Sequence, residues 1–161
     1  MGEYAQKIST ANKKELIQLL KCAYAEEWLA YYQYWIGAKV AEGLERPHVE
    51  AEFKEHALEE LKHADWLADR IIQLGDTPVL HPMDFEKYAK CKYEKPEIPD
   101  TKILVAQNLA AERCAIARYQ EICEFSQDKD YETFRVSRKI LKEELEHEQE
   151  MEDFEADFKY Y

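Results

Sequence analysis

Four times along this chain an apolar stripe at three- and four-residue spacing is interrupted by a glutamate. The first stripe reads Leu16, Leu20, Ala23, Glu27, Ala30, Tyr31 and Tyr34, and the second Phe53, Ala57, Glu60, His63, Leu67, Ile71 and Leu74. The third reads Val105, Leu109, Glu112, Ile116 and Tyr119, and the fourth Val136, Ile140, Glu144, His147, Met151, Phe154 and Phe158. That period belongs to helices that bury one face, so the chain is constrained to helices packed on one another. A carboxylate buried alone is costly. Four on core faces demand a shared source of positive charge, and two divalent cations held with two imidazoles supply it compactly.

The punctuation between the stripes sets out an all-α fold. Asn12, with Glu15 three residues on, is an N-cap for a first helix over about 12–41, ending before Gly43. Pro47 opens a second helix over about 48–74, and Gly75 takes the C′ position. Residues 76–100 hold four prolines and form a long crossover with room for one short helix around Asp84 to Lys90. Asp100 starts a third helix over about 101–125, and the polar turn from Ser126 to Asp130 leads to a fourth over about 131–158. Two antiparallel hairpins joined by one crossover make a four-helix bundle. A length of 161 residues suits one domain over 1–161.

The spacing of the polar interruptions carries the chemistry. Glu60-x-x-His63 and Glu144-x-x-His147 each set a carboxylate and an imidazole on one helix face, a turn apart. Glu27 precedes Glu60 by 33 residues and Glu112 precedes Glu144 by 32; the halves are offset by 85 for the lone glutamates and 84 for the paired ones. A symmetric dinuclear centre needs one Glu from each of two helices and Glu-x-x-His from each of the other two. With 25 glutamates a single Glu three residues before a His arises by chance, as in Glu45-x-x-His48, where Pro47 disfavours a helical ligand pair. The repetition is what distinguishes the other two.

Composition narrows the partners. A net charge of −12 and a pI near 4.9 oppose unaided binding to nucleic acid or an anionic membrane and favour cations. Met1 to Thr10 has no apolar run fit for a signal peptide, and no apolar 18-residue run occurs, so a cytoplasmic protein is expected. The cysteines Cys22, Cys91, Cys114 and Cys123 form no CxxC pair and are expected to be thiols in a reducing cytosol. Cys114 and Cys123 lie ~13 Å apart along a straight helix and cannot bridge.

The stretch from Glu59 to Asp65, EELKHAD, resembles the corresponding bacterioferritin segment, as does Glu27 followed by Gln33-Tyr34, which favours Glu27 over Glu26 as the ligand. AERCAIARYQEIC from Ala111 and ILKEELEHE from Ile140 resemble the Dps-like mini-ferritins called thioferritins. The resemblance covers roughly residues 12–155 and implies the ferritin-like bundle with a bacterioferritin-type di-iron site inside each subunit. Glu60 and Glu144 would bridge two iron ions, with Mn or Zn as substitutes. Glu27 and Glu112 would be terminal ligands, and His63 and His147 would each bind one ion. Leu61 stands where bacterioferritin carries its haem-ligating Met, so haem is not expected. Only 14 residues follow His147, too few for the separate fifth helix of larger shells, so the resemblance implies a hollow dodecamer. It also matches Cys91 and Cys114 to the family's Cys pair, as redox partners or as buried thiols.

The function so implied is oxidation of Fe(II) by hydrogen peroxide or O2, storage of the Fe(III) mineral in the shell, and protection against oxidative stress. The alternatives are a dimetal peroxidase or manganese catalase-like enzyme without storage, or a nucleoid-binding Dps protein. For the last, Lys7, Lys13 and Lys14 give only a thin basic patch. Tyr31, Tyr34 and Trp35 are candidate electron donors, although aromatic residues in a bundle more commonly pack. His56, one turn before Glu60, is a candidate support or access residue for the centre, or a packed histidine. The acidic run from Glu143 to Glu155 lies mostly off the stripe, as a solvated face or a lining that attracts cations.

Overall fold

The computed structural model describes residues 2–160. Its helices are α1 (Glu3–Lys7), α2 (Lys13–Val40), α3 (Arg46–Gln73), α4 (Phe85–Tyr88), α5 (Thr101–Ser126) and α6 (Tyr131–Asp157). One 3-10 turn, Pro82–Asp84, leads into α4, and another, Phe158–Tyr160, follows α6. The described residues contain no strand. Helix α2 packs on α3 and α5 on α6, and contacts of α2 with α5 and of α3 with α6 join the two hairpins. This is the helical bundle read from the stripes. None of these helices is long and apolar enough to cross a membrane.

Local chemistry fixes the ends. Asn12 accepts from the Glu15 amide at 3.3 Å, Asp100 from Lys102 at 2.8 Å, and Asp130 from Thr133 at 2.9 Å. Each side chain satisfies an amide that its helix leaves unpaired. Helix α3 has Pro47 in its first turn, and Gly75, two residues past its end, has a φ of +86° that suits the residue after a helix cap. Helix α1 has no counterpart in the stripes; its Gln6 amide nitrogen lies 2.8 Å from where a Cβ on Gly75 would be. The crossover helix α4 is one turn long and is anchored by Phe85 stacked on Trp28, ring centroids 6.0 Å apart. At the crossover's far end, Glu42 donates its amide to Pro99 O and accepts from Thr101 N, tying the end of α2 to the start of α5.

The apolar core is two clusters rather than one. Leu16, Leu20, Leu67, Ile71, Ile122 and Ile140 belong to the first; Tyr34, Phe53, Leu104, Val105, Leu109 and Met151 belong to the second. Each long helix contributes to both clusters, and between its two contributions stands its glutamate. A polar layer therefore crosses the middle of the bundle.

A second polar contact sits at one end. Arg70 Nη2 donates to both carboxylate oxygens of Asp130 at 2.8 Å, and Arg70 Nε donates to Thr133 Oγ1 at 2.8 Å. Both ionic side chains are buried. Burial works against the Asp130 carboxylate, but the Thr133 amide and Arg70 hold its carboxyl below the usual range. Its contribution to stability is thus complete above the unfolded value near pH ~4 and is lost as pH falls through the lower folded-state value. Asp130→Ala, which strands the Arg70 guanidinium, is expected to destabilise the fold by about 3–5 kcal/mol. Denaturant unfolding at fixed protein concentration measures this, and the difference from wild type should shrink as the pH is lowered below ~4.

Candidate metal centre

The polar layer brings together all six residues singled out by spacing: Glu27 from α2, Glu60 and His63 from α3, Glu112 from α5, and Glu144 and His147 from α6. None is more than 2% exposed. Glu27, Glu60, His63 and Glu144 present ligand atoms within 4.8 Å of one another, and so do Glu60, Glu112, Glu144 and His147. Two cation-sized donor sets lie side by side and share Glu60 and Glu144.

The shared carboxylates are turned to serve both sets. Glu60 places Oε2 at 3.1 Å from His63 Nδ1 and Oε1 at 3.5 Å from His147 Nδ1. Glu144 places Oε1 at 3.2 Å from His63 Nδ1 and Oε2 at 3.3 Å from His147 Nδ1. The lone glutamates each face one histidine, Glu27 at 3.4 Å from His63 and Glu112 at 3.7 Å from His147.

An outer ring of hydrogen bonds orients these groups. His63 Nε2 donates to Glu143 at 2.8 Å, and His147 Nε2 donates to Glu59 at 2.8 Å. With Nε2 engaged by a carboxylate acceptor, Nδ1 is the ring nitrogen left facing the box. The Tyr34 hydroxyl donates to Glu112 and the Tyr119 hydroxyl to Glu27. The pseudo-twofold relation holds through the whole shell, because Tyr34 and Tyr119 are offset by 85 residues and Glu59 and Glu143 by 84.

The electrostatics are those of a crowded anionic box. Burial, then the Glu60 and Glu144 charges, push the Glu27 carboxyl well above its ordinary range, and burial and Glu144 do the same to Glu112. Burial would also raise Glu60, but His147 and His63 outweigh it and hold its carboxyl low. Burial would lower the two imidazoles, yet the surrounding carboxylates raise both well above their ordinary value. Even so, Glu27 Oε2, both Glu144 oxygens and His147 Nδ1 are buried without a hydrogen-bond partner. Inward carboxylate oxygens and an imidazole nitrogen with nothing to bond are a donor set that divalent transition metals fit.

A family model described as a ferritin-like domain matches residues 17–159. The chain belongs to the ferritin-like family. This ferritin-like chain is 35% identical over 136 residues to the DNA protection during starvation protein of Pyrococcus furiosus, covering 84% of this chain and 74% of that protein. It superposes with a TM-score of 0.97 on a dodecameric thioferritin, the bacterioferritin-related protein of Bacteroides fragilis, at 48% identity over 99% of this chain and 96% of that one. An archaeal Dps homologue from Halobacterium salinarum shares the fold, with a TM-score of 0.84, 22% identity, and coverage of 89% and 80%. The Dps-like, thioferritin character read from the third and fourth helices agrees with these neighbours.

The structure corrects one expectation about the ferritin-like chain. Cys91 and Cys114 are joined in a disulfide, Cα atoms 5.8 Å apart, rather than standing as thiols; Cys22 and Cys123 are free and buried. The reason lies in Glu26, the buried neighbour of Glu27. Glu26 Oε1 accepts from the amides of Lys90 at 2.8 Å and Cys91 at 2.9 Å, while its Oε2 accepts from Arg118 Nε at 3.1 Å. This clamp holds the crossover against α5 where Cys114 sits. Between them a small cavity lined by Gln33, Cys91, Tyr93, Ala111 and Ala115 reaches Glu27, Glu60, Glu112 and Glu144.

Of the other candidates, His56 is 1% exposed and stacks on His147 with ring centroids 4.0 Å apart, outside the two four-residue sets. Burial, then the neighbouring His147, lower its pKa to about 3. Tyr34 is buried in the box wall, Tyr31 is half-buried, and Trp35 is on the surface. Sequence reasoning missed Glu59, Glu143 and Tyr119, although the intervals of 84 and 85 that pair the ligand candidates also pair these. It discounted Glu26 as a ligand without finding its role. Glu26→Ala is expected to free the crossover: the Lys90 and Cys91 amides lose protection in hydrogen exchange, while Arg118 keeps its half-exposed partner Glu121.

Proposed function

We propose that this ferritin-like protein is an iron-oxidising and iron-storing mini-ferritin, with Fe(II) and hydrogen peroxide or O2 as its substrates. The observation that carries the reading is the shared orientation of Glu60 and Glu144, each with one oxygen toward each histidine. In this reading Glu60 and Glu144 would be shared between two iron ions, Glu27 and Glu112 would be terminal ligands, and His63 and His147 would each hold one ion. Two iron ions side by side supply two electrons together, so that one hydrogen peroxide and two protons give two waters and two Fe(III), without release of a hydroxyl radical.

The chain's own groups serve that chemistry in distinct ways. Tyr34 and Tyr119 hold the terminal carboxylates in place from outside the box. Glu59 and Glu143 present each imidazole by Nδ1 and raise its basicity through the Nε2 hydrogen bond. The two apolar clusters keep bulk water from the carboxylates. The cavity beside the Cys91–Cys114 disulfide is a path for small reactants. Support for storage comes from the dodecameric state named for the Bacteroides fragilis thioferritin, at 48% identity. We extend to this chain a hollow homo-dodecamer in the cytoplasm, with Mn or Zn as substitute ions. The net charge of −12 per chain favours cation uptake over DNA binding.

Purified protein is expected to elute as a dodecamer, to oxidise Fe(II) with hydrogen peroxide or O2, and to take up far more than two iron ions per subunit. Glu144→Ala is expected to bring oxidation to the protein-free rate. Glu143→Ala, which removes only the partner of His63, is expected to weaken metal affinity about 10–100-fold. An unchanged rate in Glu144→Ala would refute the centre. Uptake that stops at two ions would refute storage and favour the peroxidase alternative.

A further inference from the structure

The pseudo-twofold relation is kept throughout the box and fails just beyond it. On α3, Glu52 and His56 precede the Glu-x-x-His pair by eight and four residues; at the same places on α6 stand Val136 and Ile140. On α6, Glu150 follows His147 by three residues; the matching residue on α3 is Trp66. One flank is therefore Glu52, His56 and Glu150, and the other is Val136, Ile140 and Trp66.

The two flanks differ in what they admit. Val136 and Ile140 are buried in an apolar cluster with Trp66 packed against it, and the Trp66 ring lies 5.6 Å from that of His63. The Lys139 ammonium sits 3.6 Å from the Trp66 ring centroid, adding a positive charge that repels cations. On the opposite flank, His56 Nε2 is 2.8 Å from Glu150 Oε2 and 3.4 Å from Glu52 Oε1, and ligand atoms of the three residues lie within 4.8 Å of one another. The His56 ring is 1% exposed and its Nδ1 has no hydrogen-bond partner, while the Glu150 side chain is 47% exposed. His56 also belongs to a second compact donor set with Glu112 and His147. The imidazole thus stands between the box and a pair of carboxylates that reaches solvent.

We propose that Glu52, His56 and Glu150 hold a third divalent transition-metal cation, a step by which cations pass between the dinuclear box and the surface on this flank rather than on the Trp66 flank. One imidazole and two carboxylates form a donor set such ions accept. The site's passage role rests on the dinuclear reading above, whereas its capacity to bind does not.

Metal-free protein in its assembled state, dialysed against Co(II) with excess magnesium to suppress loose surface binding, tests this by the number of Co(II) ions held per subunit. Wild type is expected to hold three and the double variant Glu52→Gln/Glu150→Gln two, with His56→Gln matching the double variant. Both changed glutamates are partly exposed, and an unchanged assembly size shows that the variants fold. Two ions in wild type and variant alike would overturn the third site and leave the dinuclear centre standing. Three in both would overturn it as well. One ion in wild type and none in the variant would support the third site and overturn the dinuclear reading.

Discussion

Removing four carboxylates from water in the middle of a helix bundle is the constraint to which the other features of this fold answer. Glu27, Glu60, Glu112 and Glu144 repel one another at short range in a medium that screens poorly, and each is buried. Two imidazoles placed among them offset part of that repulsion. The tyrosine hydroxyls and the outer glutamates fix where each charge points. Without that orientation the layer would be a defect between two apolar clusters; with it, the layer is an ordered pair of donor sets that share Glu60 and Glu144.

The repetition within the chain follows from the same constraint. A dinuclear centre with two bridging carboxylates has a twofold arrangement of donors, and two helical hairpins related by an approximate twofold provide it with one set of instructions used twice. The intervals of 84 and 85 residues extend to Glu59 with Glu143 and Tyr34 with Tyr119, so the orienting groups obey the symmetry as well as the proposed ligands. The symmetry lapses where direction matters. A box with identical flanks would offer a cation no preference between them, whereas an apolar plug under a lysine on one flank and two carboxylates on the other make them unequal.

The helices and the inward residues were legible in the sequence because a helix reports its buried face through period alone. Glu60 with His63 and Glu144 with His147 stand on the stripe, and the caps Asn12, Asp100 and Asp130 are the residue types that unpaired amides select. What the stripe does not report is contact across the bundle. Glu59 and Glu143 sit off the apolar line and read as solvated, yet each reaches the histidine of the opposite Glu-x-x-His helix. Tyr119 reads as core because its ring is core; only its hydroxyl belongs to the box. The disulfide was hidden for a different reason. Cys91 lies in a crossover without period, and its position against Cys114 depends on hydrogen bonds to a side chain far away in sequence.

That side chain, Glu26, shows how adjacent residues divide the work of one helix. Successive residues on α2 point about 100° apart, so Glu27 enters the box while Glu26 points to the crossover. There Glu26 meets two backbone amides and the Arg118 guanidinium of α5. Its charge is thus matched by donors from two other segments, and removing it would free the crossover and leave the Arg118 guanidinium with Glu121 alone. Because Glu26 and Glu27 share a rigid backbone, the wall of the access cavity and the nearer end of the box are held in register. The position of the Cys91–Cys114 disulfide relative to the proposed ligands is therefore set by the helix itself rather than by the crossover's own conformational preferences.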